Sequence, residues 1–320
     1  MRISYTVINT AGCSDSVSKT IVVSALPVIA PIAGPDSVCV GHTINLSETT
    51  AGGSWLSDNS GIATITNTGL VTGISAGTVR ISYTVINAAG CSDSVSKTIV
   101  VSALPVIAPI AGPDSVCVGH TINLSETTSG GSWLSNNSGI ATISSGGLVT
   151  GISAGTVRIS YTVINAAGCS DSVSKTIVVS ALPVIAPITG LDSVCVGHTI
   201  NLSEATAGGS WLSNNSGIAA ISNTGLVTGI SAGTVRISYT VINAAGCSDS
   251  VSKTIVVSAL PVIAPITGPD SVCVGHTINL SEATSSGSWL SNNSGIATIS
   301  NTGLVTGISS GTVRFSYTVI

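Results

Sequence analysis

Arg80-Ile81-Ser82-Tyr83-Thr84-Val85 alternates polar and apolar residues without a break. Alternation at period two predicts a half-buried strand, with Ile81, Tyr83 and Val85 toward a core and Arg80, Ser82 and Thr84 outward. Thr43-Ile44-Asn45-Leu46-Ser47 alternates in the same way. Ser94 to Val101 predicts another strand, with Val95, Ile99 and Val101 in one phase, and shorter strands are expected over Ser54–Ser57, Ile62–Thr66 and Leu70–Thr72. Asn67-Thr68-Gly69 and Asn87-Ala88-Ala89-Gly90 read as turns in which glycine supplies positive φ. No stretch has helical spacing. The chain is rich in Val, Ile, Thr and Ser and is interrupted by Gly, Pro and Asn roughly every eight to twelve residues, as in all-β proteins, so helix should stay under about 5%.

The whole pattern recurs every 78 residues, almost letter for letter. Tryptophan falls at Trp55, Trp133, Trp211 and Trp289, and the cysteines form two series, Cys13, Cys91, Cys169, Cys247 and Cys39, Cys117, Cys195, Cys273. A fixed period of this kind marks an array of identical structural units. The repeats are set at 25–102, 103–180 and 181–258, with the C-terminal part of a repeat at 1–24 and the N-terminal part of another at 259–320. Met1 stands where the other copies have Val79, Val157, Val235 and Val313, so the sequence starts inside a unit. A sandwich lacking its last strand exposes an edge and a core. The expectation is therefore that the chain continues covalently, in preference to head-to-tail strand addition between chains. Seven or so short strands per unit, with one Trp and two Cys, predict a two-sheet antiparallel sandwich. The segment Ser102 to Pro113 divides one unit from the next. Its three prolines make it a stiff connector, part of which suits an edge strand of the following domain.

Composition narrows the function classes. Charged residues make up 7% of the chain and the net charge is −4. That leaves no basic patch for nucleic acid or an anionic membrane surface. The most apolar stretch, Ile21 to Gly34, contains Pro27 and Pro31 and is too short to span a bilayer. A unit of this size buries only about 60% of its unfolded surface, so a covalent staple would help it. Eight regularly spaced cysteines read as disulfides formed in an oxidising, extracytoplasmic compartment.

Val38-Cys39-Val40-Gly41, Gly53-Ser54-Trp55, the run Gly69-Leu70-Val71-Thr72-Gly73-Ile74-Ser75-Ala76-Gly77-Thr78 and Ile81-Ser82-Tyr83-Thr84-Val85 carry a further signal. Together they resemble bacterial immunoglobulin-like domains of group 2, in the style of tandem repeats in large surface proteins of the Bacteroidota. The resemblance covers every period. It implies tandem immunoglobulin-like β-sandwiches used as spacer or adhesive modules on a cell surface. Cys39 and Cys91 are expected at strand ends or in loops, unlike the mid-strand pair of true immunoglobulins.

Two disulfide patterns suit the spacing. Pairing within units gives Cys39–Cys91, Cys117–Cys169 and Cys195–Cys247, each closing 52 residues, with Cys13 and Cys273 left over. Pairing across the connector, as Cys91–Cys117, closes 26 and uses all eight. Loop entropy separates them by only ~0.6 kcal/mol and does not decide; domain logic favours the first, while the second stays open because it pairs every cysteine. His42, His120, His198 and His276 each follow a cysteine as Cys-x-x-His, but a unit brings too few further ligands for zinc, and no metal or cofactor is expected. Lys97 shares the inward phase of Val95 and Ile99 and is expected to snorkel or form a salt bridge. Asp-Ser-Val occurs twice per period, resembling a Bacteroidota O-glycosylation acceptor at Ser16, Ser37, Ser94, Ser115, Ser172, Ser193, Ser250 and Ser271. No grouping of nucleophile, base and acid is present to suggest an enzyme. The expected function is an extracellular structural array, a stalk, adhesin shaft or filament whose partners are neighbouring copies of the repeat. A multivalent glycan-binding array is the alternative, and it requires exposed aromatics such as Trp55.

Overall fold

The structure is a computed structural model and describes residues 1–319. All 28 of its elements are β-strands. Two compact units are present, Met1–Ala181 and Leu182–Ile320. The first opens with a hairpin, β1 (Arg2–Ile8) and β2 (Ser14–Thr20). The repeat at 25–102 follows with β3 (Ser37–Cys39), β4 (Thr43–Asn45), β5 (Ser54–Ser57), β6 (Ala63–Ile65), β7 (Leu70–Gly73), β8 (Gly77–Ile86) and β9 (Ser92–Ser102). The repeat at 103–180 supplies the same seven as β10 (Ser115–Cys117), β11 (Thr121–Asn123), β12 (Gly131–Ser135), β13 (Ala141–Ile143), β14 (Leu148–Gly151), β15 (Gly155–Ile164) and β16 (Ser170–Ser180).

Each complete repeat is a sandwich of two sheets. One has the order β3-β9-β8-β5 and the other β4-β7-β6. The alternation in β8 behaves as the sequence predicts: Val79, Ile81, Tyr83 and Val85 are buried while Arg80 is exposed. Val38, Leu46, Ala63, Val71, Val79, Ile81, Ile99 and Val101 form the core, with Ile32, Ile44, Trp55 and Ile62 packed against it. At about 25 cal/mol per Å² of apolar surface, these aliphatic chains supply most of the stabilisation of a small domain. The connector contributes too, since Ala33 pairs with Ser47 as an antiparallel bridge.

The expectation of a wholly antiparallel sandwich needs one correction. β3 runs parallel to β9, with Ser37, Val38 and Cys39 opposite Val100, Val101 and Ser102. The chain reaches that edge from the connector, and the cross-over through the rest of the domain leaves first and last strands side by side in the same direction. The same pairing recurs between β10 and β16.

In the second unit, the repeat at 181–258 reproduces both sheets. Residues 259–319 form the three-stranded sheet and the pair Gly287–Ser291 with Phe315–Val319. One substitution in this repeat is informative. Ser286 stands where earlier repeats have Gly52, Gly130 and Gly208, and it holds φ at 71°. A left-handed conformation suits glycine, so Ser286→Gly should stabilise this repeat by about 0.5–1 kcal/mol, read as a higher denaturation midpoint.

Candidate functional site: the joint between repeats

The cysteine pairing differs from both expected patterns. Cys39 is bonded to Cys169, 130 residues away and in the next repeat, with a Cα–Cα distance of 5.7 Å. Cys91 is a free thiol, as are Cys13, Cys195 and Cys273. The reason is the length of β9. Cys91 immediately precedes its first residue, Ser92, whereas Cys39 lies opposite its last, Ser102. A strand of this length rises about 3.3 Å per residue, which sets the two cysteines of one repeat some 35 Å apart, against the 7 Å or less that a disulfide needs. The connector-spanning alternative fails likewise. Cys91 lies against Ser24 upstream, and Cys117 sits opposite Ser180 downstream. Cys117 and Cys247 are also disulfide-bonded.

The late cysteine is delivered by a hairpin tip. In the tip joining β15 to β16, the Asn165 side-chain Oδ1 accepts hydrogen bonds from the backbone N–H groups of Ala167 and Cys169 at 3.1 and 3.0 Å. The Gly168 N–H closes the turn onto the Asn165 carbonyl at 2.9 Å, with φ at 81°. Asn165 then reaches back to the start of its own repeat, at the boundary with the preceding one. Its Nδ2 donates to the carbonyl of Ala103 at 2.9 Å, and Cys169 Sγ lies 3.8 Å from the carbonyl of Ser102. Those two carbonyls belong to the end of β9 and the start of the connector, beside Cys39. Val40 N–H donates to the Ser102 carbonyl at 3.0 Å, which fixes the early cysteine there. Cys169 is almost fully buried in the joint. One asparagine thus forms the turn and docks it. The Asn-Ala-Ala-Gly signal located the turn, but nothing in the sequence pattern marked the asparagine amide as a contact to the connector.

Other candidate residues fall elsewhere. His42 lies beside the joint with Nδ1 3.2 Å from the Val40 carbonyl, an ordinary polar turn contact. Lys97 keeps the inward phase of β9 but turns its ammonium to Asp36, just before β3, and Lys175 and Lys253 do the same with Asp114 and Asp192. The carboxylate is 81% exposed, so such a pair contributes about 0.2–1 kcal/mol. Trp55 is half-buried against the core, its ring tilted 57° to that of Tyr83 with centroids 4.8 Å apart, and the Tyr83 hydroxyl donates to the Thr50 carbonyl at 2.8 Å and accepts from Gly53 N–H at 2.9 Å. These aromatics hold the sandwich and its loop together. The eight Asp-Ser-Val serines are all exposed, and all but Ser271 lie on strands. Among the described residues no His, Cys, Asp and Glu cluster is arranged to hold a metal ion. No helix is long and apolar enough to cross a membrane.

Two facing sheets, a connector feeding the edge of the next domain and a docked hairpin tip define a tandem array of immunoglobulin-like sandwiches. Residues 41–99 and 198–255 match the family model of the bacterial Ig-like domain (group 2), and the repeat between them carries nearly the same sequence. Two stretches of the chain are thus similar to that domain, and the array is one of tandem Ig-like repeats. It is 24% identical over 310 residues to Ice-binding protein 1 of Shewanella frigidimarina (strain NCIMB 400), a match covering 85% of this chain and 34% of that protein. The chain therefore spans about a third of the length of that relative. Similar solved structures include invasin, a bacterial integrin-binding protein, at 17% identity and a TM-score of 0.32, covering 77% of this chain and 62% of that one. Domains 1–6 of the surface layer protein SbsC are similar at 14% identity and a TM-score of 0.22, covering 99% and 53%.

Proposed function

We propose that the chain is a length of extracellular structural shaft, serving as a stalk, adhesin shaft or filament on a bacterial cell surface. The observation that carries this reading is the inter-repeat joint, where a hydrogen-bonded hairpin tip and a disulfide tie one domain to the next. Disulfide-linked repeats belong to an oxidising compartment, and near-identical copies favour length and linkage over specialised chemistry. The reading is structural, not enzymatic. The packing of Trp55 against the core supports this reading over a glycan-binding array, which would use exposed aromatics.

Labelling intact, unpermeabilised cells with an antibody raised against one repeat tests the assignment. Surface labelling with a regular spacing along filaments is expected. Labelling that requires permeabilisation would overturn it. We further propose that Ser37, Ser94 and their equivalents carry O-linked sugar. With charge at 7% of residues, glycans would supply the hydration that the surface otherwise lacks. Glycopeptide mass spectrometry should recover modified Asp-Ser-Val peptides from native material. Finding them all bare would reduce the motif to strand chemistry.

A further inference from the structure

The unit Met1–Ala181 holds the same hairpin tip twice, once with a disulfide and once without. In the tip between β15 and β16, Asn165 Nδ2 donates to the Ala103 carbonyl at 2.9 Å, and Cys169 Sγ lies 3.8 Å from the Ser102 carbonyl. In the tip between β8 and β9, Asn87 Nδ2 donates to the Ala25 carbonyl at 2.8 Å, and the Cys91 thiol faces the Ser24 carbonyl at 3.8 Å. Cys169 is bonded and Cys91 is a thiol, yet the two tips dock alike. The amide therefore places the sulfur, and the bond is not needed to place it.

The partner is placed by the same backbone. Ala103 follows Ser102 directly, and Ser102 ends β9 opposite Cys39. The Ser102 carbonyl that faces Cys169 Sγ also accepts the N–H of Val40, the residue after Cys39, at 3.0 Å. Docking Asn165 on Ala103 thus brings Cys169 to Cys39. Local sequence cannot make that choice, because residues 81–97 and 159–175 are identical and carry Cys91 and Cys169 in the same setting. The two sulfurs differ in access. Cys169 is 1% exposed, whereas Cys39 is only half-buried.

We propose that Asn165 is the positioning residue that selects the disulfide partner: it docks Cys169 at the end of β9 before oxidation, and the oxidant enters through Cys39. The oxidant is of the thiol–disulfide oxidoreductase class. The Cys39 thiolate attacks its disulfide and displaces one of its sulfurs, giving a mixed disulfide. Docked Cys169 loses its proton and attacks Cys39 Sγ, displacing the second sulfur. Two protons and two electrons leave the two cysteines, and the oxidant departs as a dithiol.

The test equilibrates the full chain in a buffer of glutathione and glutathione disulfide, quenches it with acid and cuts it after glutamate without reductant. Glu48, Glu126 and Glu204 put Cys39 in fragment 1–48, Cys91 in 49–126 and Cys169 in 127–204. Fragmentation of the joined pair in the mass spectrometer assigns the bond to Cys39 and Cys169, and the ratio of joined to separate forms measures the reduction potential of this one bond. Asn165→Asp keeps the oxygen that accepts from Ala167 and Cys169 N–H, and replaces the Nδ2 donor with an oxygen that repels the Ala103 carbonyl. It should lower the ratio roughly two- to tenfold, the worth of one hydrogen bond, with glutathione left on Cys39 instead. Asn87→Asp makes the same change one repeat earlier and should leave the ratio unaltered. No loss in Asn165→Asp, or an equal loss in Asn87→Asp, would overturn the proposal. The unaltered chain gives a second reading that needs no variant to fold. When it is reduced but folded, iodoacetamide should modify Cys39 several-fold faster than Cys169, read after splitting 127–204 at Lys175. Equal or inverted rates would also overturn the proposal. Both measurements read the joint alone, so a failure of surface labelling would leave the selection by Asn165 standing.

Discussion

Removing the bond between repeats with the paired substitution Cys39→Ser and Cys169→Ser is expected to cost up to about 5 kcal/mol of stability, the chain-entropy value for closing a loop of 130 residues. The full amount applies when the repeats at 25–102 and 103–180 unfold together, because only then does the loop constrain the whole disordered segment. If one repeat melts while the other stays folded, the constrained length is shorter and the loss smaller. Urea denaturation of the oxidised chain, the reduced chain and the double variant measures the effect. The double variant should have a lower midpoint than the oxidised chain and lose some of the coupling between neighbouring transitions, and the reduced chain, in which Cys117 and Cys247 also lose their bonds, should have a lower midpoint still. Oxidised and reduced chains with the same midpoint would show that the bond does not stabilise the array.

The second large effect is expected at Gly69. Its φ is 84°, in the left-handed region where L side chains are strained. A Cβ there would also sit well inside contact distance of the Leu46 carbonyl, with the Trp55 ring close behind at 3.6 Å. That carbonyl cannot retreat easily, because Leu46 N–H donates to the Gly69 carbonyl at 2.9 Å and Leu46 is buried in the core. Backbone strain and overpacking add, so Gly69→Ala should destabilise the repeat at 25–102 by roughly 2–4 kcal/mol. The other repeats keep Gly147, Gly225 and Gly303. Thermal unfolding followed by circular dichroism should therefore show a fraction of the β signal lost at lower temperature and the remainder unchanged. An unsplit, unshifted transition would contradict the strain argument.

The strands were legible where burial on one face imposes a period. β5 falls at Ser54–Ser57 as read, and β8 extends the predicted alternation by three residues at its start and one at its end. The inward phase of Lys97 was legible too, although its partner Asp36 lies 61 residues away and only the fold brings them together. β3 was missed as a strand. It is three residues long and owes its form to pairing with β9, not to any pattern of its own. The disulfide pairing was not legible for the same reason. Loop entropy changes too slowly with length to choose a partner, and the choice is made by where β9 carries its two ends. The joint depends on a side-chain amide bonding to the first residue of the connector, and sequence spacing alone carries no information about that contact.

The parallel alignment of first and last strands has a mechanical consequence. Tension along the chain enters a repeat at β3 and leaves at the end of β9, so the two strands are drawn past one another along their own length. The bonds from Val100 N–H to the Asp36 carbonyl and from Val40 N–H to the Ser102 carbonyl, with the Lys97–Asp36 pair beside them, must then yield together. An antiparallel hairpin such as β8–β9, pulled apart at its open end, would instead give way one rung at a time. The edge of the sandwich that looks weakest on paper, three residues wide, is thus the one arranged to resist shear.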